Sequence, residues 1–357
     1  MPNKKLTIII PCFNSYLAVS NLLGKIYSVV KCQTKFLEIL IIDDFSNKPN
    51  LNLRDSLSKR FVDVYFLDNE HKRGVGGARN TGIFRSQGEY LYFADSDDLF
   101  DIKGIIDTLF SIVNYKKKFD LIFAQNGISS LSNDETTLPI NNKIIIKELD
   151  KGEIEETIVN FCNSPRSYSF YPHCWNKFYR KSIILNNKIV FNTELNQLED
   201  VEFVGNCLLN TRHIALINNN LYTHCLGNDH RLSKSLFFPK NIVDIVRLRL
   251  APTRLIIEKS SRYGLNAKKI ISRAVGNHCA LFFVRALNFS LKEELDKNLF
   301  RSIRATLKSY SFKNAIKEYI PNNGEDLVIK YLIIFKIDLS VLILYWKYKI
   351  LIGRIFS

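Results

Sequence analysis

The stretch GEYLYFADSDD, residues 88–98, decides the fold class of this chain. It joins an apolar run, residues 90–94, directly to three carboxylates, those of Asp95, Asp97 and Asp98. A short buried strand that ends in acidic residues is typical of a parallel sheet, because such sheets bind ligands outside the carboxyl ends of their strands. Two carboxylates one residue apart on a turn can hold a hard divalent cation. The same residues could instead form an Asx turn and an N-cap for a helix over residues 99–110.

Strand and helix patterns alternate around this stretch. Apolar, β-branched runs predict strands, and apolar residues at helical spacing predict helices between them. Strands are expected over residues 5–10, 37–42, 62–67, 90–94 and 121–124, and helices over residues 18–30, 53–60 and 76–87. This order predicts an α/β fold with a Rossmann-like, mostly parallel sheet and flanking helices. The polar residues at 11–14, 43–44 and 95–98 would then meet at one edge of the sheet.

Candidate ligand contacts lie near the ends of the other strands. Asp43 and Asp44 could accept hydrogen bonds from a ribose or a pyrimidine edge, or could form a simple turn. Asn14 could cap the helix that follows the first strand. The run RGVGGARN, residues 73–80, resembles a phosphate-binding loop, since glycine permits close backbone approach and a helix N-terminus favours an anion. Arg79 in this run is either a diphosphate contact or a solvated arginine at a helix start.

Four motifs, IIIPCFN, ILIIDDFS, RGVGGARNTG and GEYLYFADSDD, together resemble the inverting glycosyltransferases of family 2, which have the GT-A fold. The resemblance covers the first 125 residues and extends more loosely over residues 170–235. It implies that the donor nucleotide is bound by Pro11, Asn14, Asp43, Asp44, Arg79 and Asp95. It also implies that Asp97, with Asp95, binds Mg²⁺ or Mn²⁺, and that Asp98 supports the site or contacts the sugar.

Two later motifs extend the resemblance. The segment HCWNKF, residues 173–178, is similar to the W-N-K segment of the family, which implies an acceptor- or sugar-binding role for Trp175, Asn176 and Lys177. The segment QLEDVEF, residues 197–203, is similar to its E-D motif, which implies that Asp200 is the catalytic base, with Glu199 as the second choice. Inversion needs a base on the face opposite the leaving diphosphate. Both acids could instead stabilise the first turn of a helix over residues 201–209.

The segment YTHCLGNDHRLSKS, residues 222–235, holds weaker candidates. His224 could be a further metal or diphosphate contact, and Arg231 could pair with the diphosphate. A histidine without a special task, at 224 or at 230, is the alternative. The Q-x-x-R-W run of the processive synthases in this family does not occur. This departure predicts the addition of a single sugar.

The positive charge is concentrated in the C-terminal third. The formal net charge is +15, and residues 241–357 hold 21 Lys+Arg and 9 Asp+Glu, a net of +12. No nucleic-acid motif is present, and the basic residues are interspersed with aliphatic ones, so we expect no nucleic-acid partner. The basic, aromatic-edged stretch 331–357 suits the plane of an anionic membrane surface, or else it packs on the catalytic domain.

These patterns predict three regions: a nucleotide-sugar-binding half over 1–125, an acceptor and catalytic-base half over 126–240, and a basic helical region over 241–357. Seven cysteines without a CxxC pair, and no apolar stretch long enough to span a bilayer, lead us to expect a cytoplasmic protein, peripheral on the inner face of the cytoplasmic membrane.

The predicted function is metal-dependent, inverting transfer of one hexose or N-acetylhexosamine from a UDP-sugar to a hydroxyl of a surface glycan. Capsule, O-antigen and lipooligosaccharide are the expected acceptors. One alternative is a nucleotidyltransferase of sugar phosphates, although that enzyme would place its Gly-rich loop directly after the first strand. The other alternative is a non-catalytic protein that binds glycan or nucleic acid.

Overall fold

The computed structural model describes residues 4–30, 35–47, 51–124, 144–164, 171–194, 198–223, 241–292, 297–320, 327–334, 341–343 and 345. The chain forms two compact units. The first, called the sheet unit, consists of Met1–Ile154 and Ser169–Asn228, and the second, called the helical unit, of Glu155–Tyr168 and Asp229–Ser357. The division of residues 1–240 into two functional halves stays a prediction.

An eight-stranded sheet forms the centre of the sheet unit. The described strands are β1 (Leu6–Cys12), β2 (Leu37–Asp43), β3 (Val64–Asp68), β4 (Tyr90–Phe93), β5 (Leu99–Phe100), β6 (Leu121–Ala124), β7 (Ile146–Leu149), β8 (Lys177–Arg180), β9 (Ile214–Ile217) and β10 (Tyr222–Thr223). The order in the sheet is β3-β2-β1-β4-β8-β6-β9-β7, and β5 pairs separately with β10. β3, β2, β1 and β4 run parallel, whereas β8 and β7 pair antiparallel to their neighbours.

Two of the strands that end at the predicted site, β2 and β4, are fully buried. Every residue of β2 is buried, as are the four residues of β4, because strands covered on both faces are apolar throughout. The sheet unit contains the helices α1 (Tyr16–Val30), α2 (Leu51–Arg60), α3 (Val75–Arg85), α4 (Ile102–Val113), α6 (Lys181–Asn186) and α7 (Glu199–Asn210), and α5 (Lys151–Asn163) begins there. The predicted α/β fold with a mostly parallel sheet and flanking helices is confirmed.

Two predicted elements begin later than expected. The helix expected over residues 99–110 starts at Ile102, because Asp101 is its N-cap and accepts a hydrogen bond from the Gly104 N–H at 3.0 Å. Leu99–Phe100 pairs with β10 instead. The strand expected over residues 62–67 is Val64–Asp68, and Asp63 before it has a φ of 61°.

The helical unit holds most of α5 together with α8 (Ile242–Arg249), α9 (Ala251–Glu258), α10 (Ala267–Lys292), α11 (Lys297–Lys308), α12 (Tyr310–Lys317) and α13 (Leu327–Ile334). Asn277 of α10 ties α5 to this unit, since its amide donates to the carbonyls of Cys162 and Asn163 at 3.0 Å each. The predicted helical C-terminal region is confirmed. Within the described ranges, the chain has no helix that is both long enough and apolar enough to cross a membrane.

Candidate active site

The turn at residues 95–98 directly follows β4 and is held by a tyrosine. The Tyr222 hydroxyl donates to Asp98 Oδ2 at 2.7 Å and accepts from the Asp95 N–H at 3.0 Å. Asp98 is therefore buried against Tyr222, while the side chains of Asp95 and Asp97 are half-buried. Because Asp101 caps α4, these carboxylates are not a helix cap. The helix-cap interpretation of the turn was wrong.

Tyr222 belongs to a ladder of four stacked rings. His173 stacks on Trp175 with centroids 4.6 Å apart, and Trp175 stacks on Tyr222, also at 4.6 Å. Tyr222 lies parallel to Phe100 at 6.3 Å. Parallel aromatic pairs add to the free energy of burial, so the ladder fixes the plane of the Tyr222 ring and the aim of its hydroxyl. It links the turn at 95–98 to the predicted W-N-K segment.

Arg79 joins the strand-end turn to the predicted catalytic base. It lies in α3, and its guanidinium pairs with Asp200 Oδ1 at 2.7 Å and with Asp95 Oδ1 at 3.0 Å. Glu199 lies 3.6 Å away. Burial lowers the pKa of Arg79, but the carboxylates of Asp200, Asp95 and Glu199 raise it well above its usual value. Arg79 is thus a buried cation among three carboxylates, not a solvated arginine.

Asp200 lies in the first turn of α7 with both carboxylate oxygens in contact. Oδ1 meets Arg79, and Oδ2 accepts from the Cys174 N–H at 3.3 Å. Leu198, the N-cap residue, has a φ of 56° and no side-chain capping bond. The two contacts fix the Asp200 carboxylate between Arg79 and the Cys174 backbone, whereas an acid that only stabilises a helix start needs no such partners.

The Gly-rich loop between β3 and α3 is held by Asp44. The Gly74 N–H donates to both carboxylate oxygens of Asp44, at 2.8 and 3.0 Å, and the Asn69 amide donates to one of them at 2.8 Å. Gly74 has a φ of 136°, a conformation that residues with a Cβ rarely adopt. Asp44 is buried and shapes the loop from inside, while Asp43 accepts hydrogen bonds from Ser46 in a turn.

The ends of β1 and β2 are tied together by Asn14. Its N–H donates to Ser46 Oγ at 2.9 Å, and its Oδ1 accepts from the Asn47 N–H at 3.0 Å. The expected helix cap by Asn14 is therefore wrong, because its side chain bonds the loop after β2. Pro11, within β1, is half-buried at this end of the sheet.

The W-N-K residues are inside the protein. Trp175, Asn176 and Lys177 are 4%, 2% and 1% exposed. The Lys177 ammonium donates to the carbonyls of His173 and Trp175, and burial lowers the pKa of Lys177 to about 7 against the opposing effects of Cys174, Asp200 and Cys207. These contacts hold the 173–177 backbone in place. An acceptor- or sugar-binding role for the three residues stays a prediction.

Several side-chain contacts around the candidate site are not indicated by any motif in the sequence. Tyr222 was part of a quoted motif but was not selected, since only its tertiary contacts relate it to Asp98. Ser15 and Ser96 are joined by a hydrogen bond of 3.0 Å between their hydroxyls, which links the start of α1 to the turn at 95–98. The Arg73 guanidinium lies 4.8 Å from the centre of the Phe13 ring. His224 and Arg231, the weaker candidates, lie outside the described residues.

Comparison with known proteins finds similar glycosyltransferases. Residues 7–173 match the family described as "Glycosyl transferase family 2". The chain is 23% identical over 295 residues to the poly(ribitol-phosphate) beta-N-acetylglucosaminyltransferase TarS of Staphylococcus aureus, covering 82% of this chain and 47% of TarS. It is 27% identical over 243 residues to TarP of the same species, a poly(ribitol-phosphate) beta-N-acetylglucosaminyltransferase, covering 67% of each chain. The chain thus spans about half the length of TarS.

A solved structure shares the fold. The crystal structure of S. aureus TarS 1-349 in complex with UDP-GlcNAc superposes with a TM-score of 0.59 and 19% identity, covering 88% of this chain and 89% of that one. The order of strands and the place of the site at their carboxyl ends follow the rule for open α/β sheets. Over residues 7–173 the chain therefore resembles the family 2 glycosyltransferases, as its motifs predicted, and its sheet has the GT-A fold.

Proposed function

We propose that this protein is an inverting glycosyltransferase that moves one hexose or N-acetylhexosamine from a UDP-sugar to a hydroxyl of a surface glycan. The observation that carries the proposal is the position of Arg79, which bonds both Asp95 after β4 and Asp200 in α7. This single side chain brings the donor end of the sheet and the predicted base into one site.

Donor binding is assigned to the strand ends. The start of α3 would favour a diphosphate through the helix N-terminus, while the Gly74 N–H itself is bonded to Asp44 and holds the loop. Pro11, Asn14, Asp43 and Asp44 would border the nucleoside, with Asp95 near the ribose. Arg79 would hold Asp95 and Asp200 in position and offset their negative charge beside the diphosphate, since its terminal nitrogens are engaged with these carboxylates.

The carboxylates fit a metal that is bound together with the donor. Within the described residues, no cluster of three or more His, Cys, Asp or Glu side chains is arranged to hold a metal ion. Mg²⁺, however, is commonly held by one or two carboxylates plus substrate phosphates, and half-buried Asp97 with Asp95 supplies that set. A cation there would stabilise negative charge on the leaving diphosphate. Asp98 is better suited to supporting the turn, because Tyr222 holds it.

Asp200 would be the base. Inversion requires that the acceptor hydroxyl attack the anomeric carbon from the face opposite the diphosphate, and that its proton go to a nearby carboxylate. The contacts from Arg79 and the Cys174 N–H orient Asp200 for this transfer. Glu199 lies beside it at a longer distance from Arg79 and is the second choice.

The acceptor is inferred from the relatives. TarS and TarP are named for poly(ribitol-phosphate), so a phosphate-containing wall polymer joins capsule, O-antigen and lipooligosaccharide as a candidate. The basic residues of 241–357 would favour either such a polymer or an anionic membrane surface, and peripheral attachment to the inner leaflet is part of this proposal. A nucleotidyltransferase is disfavoured, because the Gly-rich loop follows β3 and not β1.

A UDP-release screen tests the proposal. The full chain is incubated with a panel of nucleotide sugars, UDP-GlcNAc first, with and without EDTA. We expect UDP from at least one donor and loss of that activity in EDTA. Asp200→Asn should lower transfer by about 10²–10⁴-fold, the usual contribution of a general base. Asp107→Asn, the same change at an exposed position of α4, is the control and should leave transfer unchanged.

Each other outcome has a meaning. If wild-type protein releases no UDP from any donor, the chain is not this transferase, and glycan binding without catalysis becomes the better account. Full activity in EDTA would remove the metal from the proposal but keep the transfer. Equal rates for Asp200→Asn and wild type would remove Asp200 as the base.

A further inference from the structure

A groove of about 700 Å³ lies on the sheet unit between α3, α7 and the segment 187–194 that precedes α7. Phe84 of α3 and His71 form one wall, and their rings are 5.7 Å apart. Asn206 and Asn210 of α7 also line the groove. The volume is that of an ordinary small-molecule site.

The lining suits a neutral ligand that carries many hydroxyl groups. The Phe84 side chain is 52% exposed and offers an apolar platform at the groove. Asn206 and Asn210 are four residues apart and so share one face of α7. An amide both donates and accepts hydrogen bonds, as a sugar hydroxyl does. The Asn210 amide already donates to the Asn206 carbonyl at 2.8 Å, so Asn206 is the stronger candidate for ligand contact. The charged lining residues are two lysines and two glutamates, so their charges cancel: Lys72, Lys188, Glu194 and Glu202.

The floor of the groove also supports the proposed active site. Phe191 lines the groove, and its peptide exchanges two hydrogen bonds of 2.8 Å with the Asn80 side chain. The Phe191 ring stacks on Phe203 at 3.9 Å, and the Arg79 guanidinium lies 5.4 Å from it. Asn206 is six residues after Asp200 in the same helix, about 9 Å along its axis. The groove and the proposed base therefore share α7, while Asp200 is not among the residues that line the groove.

We propose that this groove binds neutral saccharide units of the acceptor that do not themselves react. The inference rests on the proposed function, because it assigns the groove to the acceptor of that transferase. Contacts to non-reacting units raise affinity and help to position the reacting hydroxyl. Exposed aromatic surface and a lining without net charge favour sugar rings, whereas a phosphate group is bound most strongly where cations are in excess.

Isothermal titration of the full chain tests the groove with three neutral trisaccharides: chitotriose, cellotriose and maltotriose. We expect at least one of them to bind saturably. Phe84→Ala and Asn206→Ala should each weaken that binding by about fivefold or more, which is the loss of roughly one hydrogen bond or ring contact. Phe110→Ala is the matched control, because Phe110 is a 39% exposed phenylalanine on α4, remote in sequence from the groove. It should bind as wild type does.

The proposal is overturned if none of the trisaccharides saturates, or if Phe84→Ala and Asn206→Ala bind as tightly as Phe110→Ala. Tighter binding of glycerol phosphate than of every trisaccharide, lost in Asn206→Ala, would also overturn it. If Phe84→Ala does not fold, Asn206→Ala alone tests the groove. UDP release is measured on the same preparations. UDP release without trisaccharide binding refutes the saccharide-binding role of the groove but not the transferase. Trisaccharide binding without UDP release from any donor refutes the transferase but not saccharide binding by the groove.

Discussion

Removing the Tyr222 hydroxyl isolates the contact that holds the turn at 95–98. In Tyr222→Phe the ring can keep its stack on Trp175, but the turn loses the bond to Asp98 Oδ2 at 2.7 Å and the bond from the Asp95 N–H at 3.0 Å. The first bond involves a carboxylate and is worth about 1.5–3 kcal/mol, and the second about 1 kcal/mol. We expect the free energy of unfolding to fall by about 2–4 kcal/mol.

Catalysis should fall as well, because the turn carries the proposed metal carboxylates. Groups that orient such ligands typically contribute about 10–100-fold to activity. We therefore expect kcat/KM for the donor to drop by that factor in Tyr222→Phe. The assay is UDP release over a range of donor concentrations, using the donor that the screen identifies, at a temperature where both proteins are folded.

Tyr90→Phe is the matched control. Tyr90 is also a buried tyrosine of the sheet unit, and its hydroxyl donates to the Phe119 carbonyl at 2.9 Å, away from the carboxylates. This variant should lose about 1 kcal/mol of stability and keep its kcat/KM within about twofold. If Tyr222→Phe and Tyr90→Phe have the same kinetics, Tyr222 is structural only and the reasoning about the turn fails.

Three further predictions concern stability and donor-loop shape. In Gly77→Ala the new Cβ would lie 2.0 Å from the Lys72 carbonyl oxygen, so we expect the free energy of unfolding in urea to fall by more than about 3 kcal/mol. A Cβ at Gly24 would have nothing within 4 Å, so Gly24→Ala should raise the free energy of unfolding by about 0.5–1 kcal/mol. Equal effects at the two glycines would contradict the tight contact. Burial lowers the pKa of Lys177 to about 7 in the folded state, below its unfolded value, so the folded state binds fewer protons between these values and stability rises with pH there. The free energy of unfolding of wild type, relative to that of Lys177→Met, should rise by about 2–3 kcal/mol between pH 7 and pH 9. If the difference between the two proteins does not change with pH, the pKa of Lys177 is that of an ordinary lysine. In Arg79→Lys the free energy of unfolding should fall by about 3 kcal/mol or more, because one ammonium cannot bridge Asp95 and Asp200 as the guanidinium does. A fall below about 1 kcal/mol in urea unfolding would show that the bridge is dispensable.

Most of the fold could be predicted because its central strands are covered on both faces. β1, β2 and β4 are continuous apolar runs, and each was placed to within about two residues of its observed ends. The meeting of Asp44, Asp95 and the Gly-rich loop at one edge followed from the direction of parallel strands. The helix start before Ile102 was missed because Asp98 and Asp101 are equally good N-cap residues in sequence, and only pairing with β10 separates them.

The side-chain partners could not be predicted, since they lie on elements that are distant in sequence. The sequence predicts Arg79 as a diphosphate contact, which stays a prediction, but it does not reveal that Arg79 pairs with Asp95 and Asp200. The motif predicts that Trp175 and Lys177 contact a sugar, and this stays a prediction; the structure adds that both side chains are buried. A motif records that a residue type recurs at a position, and it does not say whether the side chain faces ligand or core.

The sequence by itself determined the order of strands and helices, the carboxylates at the strand ends and the glycines of the loop, because these depend on local apolar periodicity and backbone conformation. Only the tertiary structure decided that Tyr222 holds Asp98, that Arg79 joins Asp95 to Asp200, and that an amide- and phenylalanine-lined groove lies beside α7. These features depend on how the packed elements bring side chains together from distant parts of the chain, and such contacts leave no periodic pattern in the sequence.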